Sequence, residues 1–351
     1  MTVPSPPPAP AAHHGRAGVP PVILVPTLVG LVIGTLFVTI FLAAFHTPEP
    51  HDLPVGIVGP AGQVEGVERA LAATAPGTIA FTGYASAAAA RDAVEHRRVY
   101  GAYVLPGQGT DARLLYAGAN GPAVTSTLEG VFGAVTGPAA LRTQDVVPTS
   151  SGDTRGLSVF YAGFGLVLAG YLFGLISFQM APRLHLRARL LSLAAFSVLG
   201  GATAALIAGR TGFGALPGDL AAVMAVTILL AMAVGSATLL LMRVGGPAGT
   251  LLSSLVLLIL GNATSGGILP PAYLPGWLRP LSDVLPVGLG VRALQGVSYF
   301  GGDGYARGLV LLVVWAVAGI AAVHALDVAA RRRGRVGAGK GLARPAPAAP
   351  H

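Results

Sequence analysis

Hydrophobic residues fall into six long runs along the chain, and stretches rich in polar residues, glycine and proline separate these runs. A helix of about 20 mostly apolar residues is needed to cross the hydrocarbon core of a bilayer. The first run is longer than the core of a signal peptide and no small-x-small cleavage motif follows it, so we expect it to be retained. The runs predict six membrane-spanning helices, at residues 21–45, 157–178, 190–208, 220–242, 250–269 and 308–328.

The fifth run becomes polar before it is long enough to cross the bilayer. Residues 251–260 are apolar, but the helix must continue through glycine and polar positions to complete a span. Such backbone is tolerated at membrane depth only where protein or a water-filled cavity satisfies its polar groups. Prolines then favour short, broken helices, so we expect a re-entrant hairpin over residues 261–306. Its candidate site residues are Asn262, Ser265, Gly266, Gly267, Pro270, Pro271, Pro275, Trp277 and Pro286.

Residues 46–155, between the first two spans, contain 10 of the 14 acidic residues and two Pro-Gly pairs typical of turns, so we expect them to be exposed to water. The apolar pattern predicts a helix around residues 64–71, another that Ser86 caps and that reaches Arg98, and a third over residues 124–135 that leads back to the membrane. Strands that alternate with helices are typical of a small α/β domain. The predicted strands are residues 55–58, 79–81, 100–105 and 113–117.

Charged residues indicate which loops face the cytoplasm. Segments 1–20, 180–189, 243–249 and 331–351 together contain 11 basic residues and no acidic one. Because cytoplasmic loops of membrane proteins are enriched in Arg and Lys, both termini are predicted to be cytoplasmic and residues 46–155 extracytoplasmic. The two terminal segments have no apolar periodicity and are predicted to be disordered tails, the C-terminal one basic.

Composition narrows the class of protein. The chain has 53% hydrophobic and only 10% charged residues, with a mean hydropathy of +0.69, which excludes an ordinary soluble globule. Membrane sidedness explains the net charge of +8 better than nucleic-acid binding does, so no nucleic-acid partner is expected. The absence of cysteine excludes disulfides and cysteine metal sites. Arg greatly outnumbers Lys, as in GC-rich bacteria, and indicates a bacterial plasma membrane.

The predicted hairpin contains Ser-Gly-Gly-Ile-Leu-Pro at 265–270, Leu-Pro-Gly-Trp-Leu at 274–278 and Leu-Pro-Val-Gly at 285–288, before a return helix. This order resembles the C-terminal part of ABC-2 type transporter permeases. A large extracytoplasmic domain after the first span is similar to the YhgE/Pip-like branch of that family. The resemblance covers most of residues 20–330. It implies a five-span permease bundle at residues 156–330, with the candidate site residues near the substrate exit.

Such a permease depends on a separate nucleotide-binding ATPase subunit and on membrane lipid, and works as a homodimer or paired permease. The only lysine, Lys340, lies in Gly-Ala-Gly-Lys-Gly without a preceding strand, so this chain has no phosphate-binding loop. No nucleophile or zinc motif is present either. We therefore expect a transport subunit that is not itself an enzyme, with no catalytic residue, cofactor or metal.

The predicted cytoplasmic turn between the second and third spans contains Arg183, His185, Arg187 and Arg189. One interpretation is a topology signal beside anionic headgroups. The resemblance implies another interpretation, a coupling turn that docks on the ATPase. The two remain open at this stage.

Pairs of small residues on the predicted spans favour close packing of helices. Both packing inside one bundle and a dimer interface fit this pattern, and for the first span a chance distribution of glycines fits as well. The glycines concerned are Gly30, Gly34, Gly170, Gly174, Gly200 and Gly201.

Two functions fit the sequence. The first is the membrane subunit of an ABC-2-like exporter that moves a hydrophobic or amphipathic substrate outward, because the interiors of the first five spans contain no ionisable group for ion coupling. The alternative is a non-transporting scaffold or receptor whose extracytoplasmic domain binds envelope components or proteins.

Overall fold

The computed structural model describes residues 21–107, 111–137, 140–180 and 184–341, and within them the protein is mostly helical. Five helices of this described part are long and apolar enough to cross a membrane, which identifies a polytopic membrane protein. These helices are α1 (Pro21–Phe45), α5 (Ser158–Met180), α6 (Leu186–Ala208), α7 (Leu220–Gly245) and α12 (Tyr305–Gly341).

The span predicted at residues 250–269 is not one continuous helix. The chain forms α8 (Pro247–Ser253), a π-helix (Ser254–Leu260) and the short α9 (Gly261–Ala263), after which a turn begins. The apolar helical stretch from Ala248 to Ala263 has 16 residues and extends about 24 Å, less than the ~30 Å of a bilayer core. Five of the six predicted spans thus correspond to helices long enough to cross a bilayer, whereas the fifth predicted span is this shorter, broken stretch, because the polar residues that follow close the helix with a turn.

Helix α7 lies at the centre of the bundle and packs against α5, α6, α11 (Pro286–Tyr299) and α12. Small residues allow this contact. A Cβ atom at Gly174 would lie 2.6 Å from the Thr238 side chain, and one at Gly170 would lie 3.1 Å from Val234. A Cβ atom at Gly201 would lie 2.6 Å from the backbone of Ile228. These three glycines therefore serve packing inside the bundle.

The other glycines singled out on the spans are not at close contacts. A Cβ atom at Gly30 or Gly34 would have no atom within 4 Å, and Gly200 faces only Phe196 of its own helix, at 3.7 Å. Helix α1 contacts the rest of the protein mainly through its C-terminal half, where Ile40 and Ala44 are buried. The two glycines of α1 thus contribute nothing to packing within the chain.

Between α1 and α5 the chain forms a mixed five-stranded sheet of order β2-β1-β3-β4-β5. Only the β3–β4 pair is antiparallel. The strands are β1 (Leu53–Val58), β2 (Ile79–Gly83), β3 (Gly101–Val104), β4 (Ala112–Tyr116) and β5 (Leu141–Asp145). The helices are α2 (Ala61–Thr74), α3 (Ala87–Glu95) and α4 (Pro122–Thr136). We call residues 53–145 the α/β unit.

The four predicted strands and three predicted helices of this unit are confirmed, and the Ser86 hydroxyl accepts a hydrogen bond from the Ala89 amide as an N-cap. Helix α3 ends at Glu95 and not at Arg98, because Arg97 adopts a left-handed conformation with φ of 49°. The third helix was expected to lead back to the membrane. It is instead followed by β5, an exposed edge strand that the sequence analysis missed.

The hairpin consists of short broken helices, as its prolines predict. After the turn at residues 264–270 come a 3₁₀ turn (Pro271–Tyr273), α10 (Arg279–Val284) and α11, and a glycine-rich turn then leads into α12. Residues of the hairpin pack against both faces of the sheet. Leu269 and Tyr273 pack with Leu53 and Phe132 on one face, and Phe300 packs with Val94 on the other.

Part of the C-terminal segment that is predicted to be disordered is helical. Helix α12 continues to Gly341, so residues 331–341 are helical. Residues 342–351 and the predicted tail at 1–20 lie outside the described residues.

The packing of α6 on α7 predicts opposite effects of two neighbouring substitutions. Gly201→Ala places a methyl group against the α7 backbone and is expected to destabilise the protein by about 1 to 3 kcal/mol, as overpacking does. Gly200→Ala is expected to be neutral or stabilising, because its methyl group meets no other helix and alanine favours helix. Thermal unfolding in detergent measures both. Equal melting temperatures for the two variants would contradict the packing described.

Candidate functional site

The polar residues predicted in the fifth span are buried where α9 ends. Asn262, Thr264 and Ser265 are each at most 4% exposed, and all three donate hydrogen bonds to backbone carbonyl groups. The Asn262 Nδ2 atom, for example, donates to the Leu258 carbonyl oxygen at 2.8 Å. The Leu260 and Asn262 carbonyl groups also accept backbone amides, so the Thr264 and Ser265 hydroxyls add to the hydrogen bonds of the turn. Irregular backbone at membrane depth is tolerated only where protein or water satisfies its polar groups.

Neighbouring helices also contact the π-helix and the short α9 that follows it. The Tyr171 hydroxyl of α5 lies 2.9 Å from the Ser254 hydroxyl, and Ser254 donates to the Thr250 carbonyl oxygen at 2.9 Å. A Cβ atom at Gly261 would lie 2.7 Å from the Val287 side chain, so α9 and α11 are in close contact. Short π-helical segments in α-helices are frequent at functional sites.

A cavity of about 250 Å³ lies between the α/β unit and the hairpin. Four of the predicted hairpin residues line it, namely Ser265, Gly266, Pro270 and Pro271. The other five do not. Asn262 and Pro286 are buried, Gly267 packs on Phe160, Pro275 is half-buried in the hairpin, and Trp277 is 63% exposed.

Residues that the sequence analysis did not identify form the rest of this cavity. From the α/β unit they are Pro54, Arg97, Arg98, Tyr100 and Asn120, and from the hairpin Ser282, Asp283, Gly288, Arg292 and Gln295. Burial raises the pKa of the Tyr100 hydroxyl, so this group is neutral at physiological pH and can donate a hydrogen bond.

Arg97 joins the α/β unit to the hairpin. Its side chain is only 7% exposed and forms an ion pair with Asp303 at 2.8 Å. Its Nη1 donates to Gln295 at 2.6 Å, and its guanidinium lies 4.8 Å from the centre of the Phe300 ring. Burial lowers the pKa of Arg97, whereas the Asp303 carboxylate opposes this shift. No pattern in the sequence marks Arg97, because its partners lie about 200 residues away.

A second, apolar groove runs between α5 and α6, with a volume of about 530 Å³. It has no charged side chain in its lining, and Gly165 and Gly200 leave room along it. Gly200, predicted as a packing residue, is therefore part of this groove. The remaining lining includes Tyr161, Leu166, Phe196, Ile207 and Phe213.

The predicted cytoplasmic turn lies between α5 and α6, at the end of the bundle farthest from the α/β unit. Its described basic residues differ in exposure. His185 and Arg187 are exposed, whereas Arg189 is only 8% exposed and lies over the Phe178 ring at 5.9 Å. The burial of Arg189 leaves little of its side chain for contact with a partner, and Arg183 lies outside the described residues.

In the same part of the bundle, Arg243 of α7 pairs with Asp327 of α12 at 2.7 Å. This pair joins the two helices. Among the described residues, no group of three or more His, Asp or Glu side chains is arranged to hold a metal ion.

No protein-family model matches the chain, and no curated protein and no solved structure is significantly similar to it. The resemblance to ABC-2 permeases therefore stays a prediction from the sequence patterns.

The Arg97 contacts predict that Arg97→Gln loosens the α/β unit from the hairpin. Breaking a buried ion pair typically costs about 3 to 5 kcal/mol. We expect about 2 to 3 kcal/mol here, because Asp303 keeps Arg292 as a partner. The measurement is thermal unfolding of the purified protein. Arg91→Gln, which breaks an exposed ion pair on α3, is the control and should leave the melting temperature unchanged. Equal melting temperatures for both variants would show that Arg97 is not a structural link.

Proposed function

We propose that this protein is the membrane subunit of an ABC-2-like exporter that moves a hydrophobic or amphipathic molecule outward, powered by a separate ATPase subunit. The groove between α5 and α6 is the observation that supports this proposal most strongly. It is apolar, uncharged in its lining and lies on the side of the bundle, as a path for a molecule that enters from the lipid would be.

The position of the groove suits outward movement. One end reaches Gly152 and Ala215, beside the loops below the α/β unit. In the proposed orientation the α/β unit and the hairpin are extracytoplasmic and both termini are cytoplasmic, as the distribution of basic residues predicts. A molecule that moves along the groove would then leave the membrane near the hairpin.

The energy source in this proposal is a partner. His185 and Arg187 are exposed at the end of the bundle opposite the α/β unit, where an ATPase subunit would dock. The ion pair between Arg243 and Asp327 holds α7 to α12 at that end and could transmit movement into the bundle. A pair of bundles, as in ABC-2 permeases, would complete the transporter.

A second candidate function is a non-transporting scaffold or receptor. The polar cavity between the α/β unit and the hairpin favours it, because the cavity offers several hydrogen-bonding groups to a ligand. Transport distinguishes the two functions, since a receptor needs neither the groove nor an ATPase.

Filling the groove is expected to block transport. Gly200→Trp places a large side chain in the groove, at a position where a Cβ atom would meet only Phe196 of the same helix. The protein and any ATPase that co-purifies with it are reconstituted in liposomes, and ATP-dependent movement of a fluorescent phospholipid is measured. We expect at least a tenfold lower rate for Gly200→Trp with an unchanged melting temperature.

Gly34→Trp is the matched control, because it adds the same side chain to an open, lipid-facing position of α1. It should transport like the wild type. If the wild-type protein moves no probe and no ATPase co-purifies, the scaffold or receptor function is favoured. If Gly200→Trp transports normally, the groove is not the path.

The orientation is tested by single cysteines, since the chain contains none. Arg142→Cys on the α/β unit, where the native side chain is 73% exposed, should react with a membrane-impermeant maleimide in intact cells. His185→Cys, also exposed, should react only after lysis. Labelling of residue 185 in intact cells would contradict the proposed orientation.

A further inference from the structure

The charges around the cavity between the α/β unit and the hairpin do not cancel. Two of the charged groups in its lining have partners of their own. Arg98 pairs with Asp92, and Asp283 lies 3.8 Å from Arg307. These two pairs together contribute no net charge.

The other two guanidinium groups in the lining share one carboxylate. Asp303 lies 2.8 Å from Arg97 and 3.3 Å from Arg292. Arg97 is buried and makes the shorter contact, whereas the Arg292 side chain is 46% exposed. One positive charge is therefore in excess, and Arg292 is the group most able to bind an anion.

Asn120 supplies an independent indication of a ligand. This residue is only 9% exposed and lines the same cavity, and its Nδ2 atom has no hydrogen-bond partner among the described residues. A buried donor without an acceptor is costly, and most buried polar groups in folded proteins are paired. An oxygen atom of a ligand in the cavity would remove this cost.

We propose that the cavity binds a phosphate group, held by Arg292 and by the Asn120 side-chain amide. A guanidinium group matches the geometry of phosphate, and phosphate oxygens point in several directions, so they can meet donors on different walls of a cavity. The Tyr100 hydroxyl is a third donor in the lining. The volume of about 250 Å³ equals that of about eight water molecules, which suits a small phosphate ester or a lipid headgroup.

The phosphate group has two possible sources, a soluble phosphate ester and the headgroup of an anionic phospholipid. Ser265 and Gly266, in the turn that follows α9 at the end of the short apolar stretch, line the cavity, so in the proposed orientation the cavity lies close to the membrane surface. The proposal goes beyond transport and holds for an exporter or a receptor, because binding is measured without an ATPase.

Two probes distinguish the sources. Isothermal titration of the full-length protein in a neutral detergent measures the affinity for sn-glycerol 3-phosphate. Native mass spectrometry of protein released from nanodiscs compares retention of phosphatidylglycerol and phosphatidylcholine. Binding of the first probe assigns a soluble ester, whereas selective retention of phosphatidylglycerol without it assigns a lipid headgroup.

The variants are Asn120→Asp, which is nearly isosteric and adds a negative charge, and Arg292→Gln. Each is expected to weaken binding of the assigned probe at least tenfold. Arg142→Gln is the control, because it removes an exposed arginine of the α/β unit outside the cavity and should bind as the wild type does. If Arg292→Gln does not fold, the affinity of Asn120→Asp for the assigned probe alone decides whether the proposal holds.

Absence of binding by both probes would overturn the proposal. Unchanged affinity of the folded Asn120→Asp variant would overturn it as well, and so would an equal loss of affinity in Arg142→Gln, since that would indicate attraction by surface charge in general.

Discussion

The α/β unit and the hairpin share their hydrophobic cores, and the rest of the structure depends on this constraint. Leu269 and Tyr273 complete the core on one face of the sheet, and Phe300 completes the core on the other. Between these contacts Arg97 is buried against Asp303. A buried arginine is tolerated only with its partner in place, so the sheet cannot move away from the hairpin without exposing apolar surface and separating an ion pair.

This shared core explains why the membrane bundle and the α/β unit form one structure. The hairpin begins at α9, which packs on α11, and α11 packs on the central helix α7. A movement of α7 would therefore reach the sheet through side chains that are already in contact. The cavity lies at this junction, lined from both sides, and its shape depends on the same contacts. A ligand there would act on the link between the two parts.

The sequence predicted elements whose signal is local and missed those that depend on distant partners. The strands and helices of the α/β unit follow from apolar periodicity, whereas β5 is short, polar and exposed. An apolar π-helix has the same composition as an apolar α-helix, so the π-helix at residues 254–260 could not be predicted from the sequence. Which glycine of Gly200 and Gly201 faces α7 depends on the rotation of α6 in the bundle. The cavity escaped prediction in large part because Arg97 and Asp303 are remote in sequence.

The short helical stretch from Ala248 to Ala263 has a consequence for the surrounding lipid. It lies between α1 and α5, and Leu252 is 43% exposed on its surface. A helix about 6 Å shorter than the hydrocarbon core makes the lipids beside it compress, at a cost of fractions of a kcal/mol per Å. The bilayer is thus expected to be thinner along this side of the protein than elsewhere. Lipid tails there are already deformed, and the distance that a headgroup must travel between leaflets is shorter.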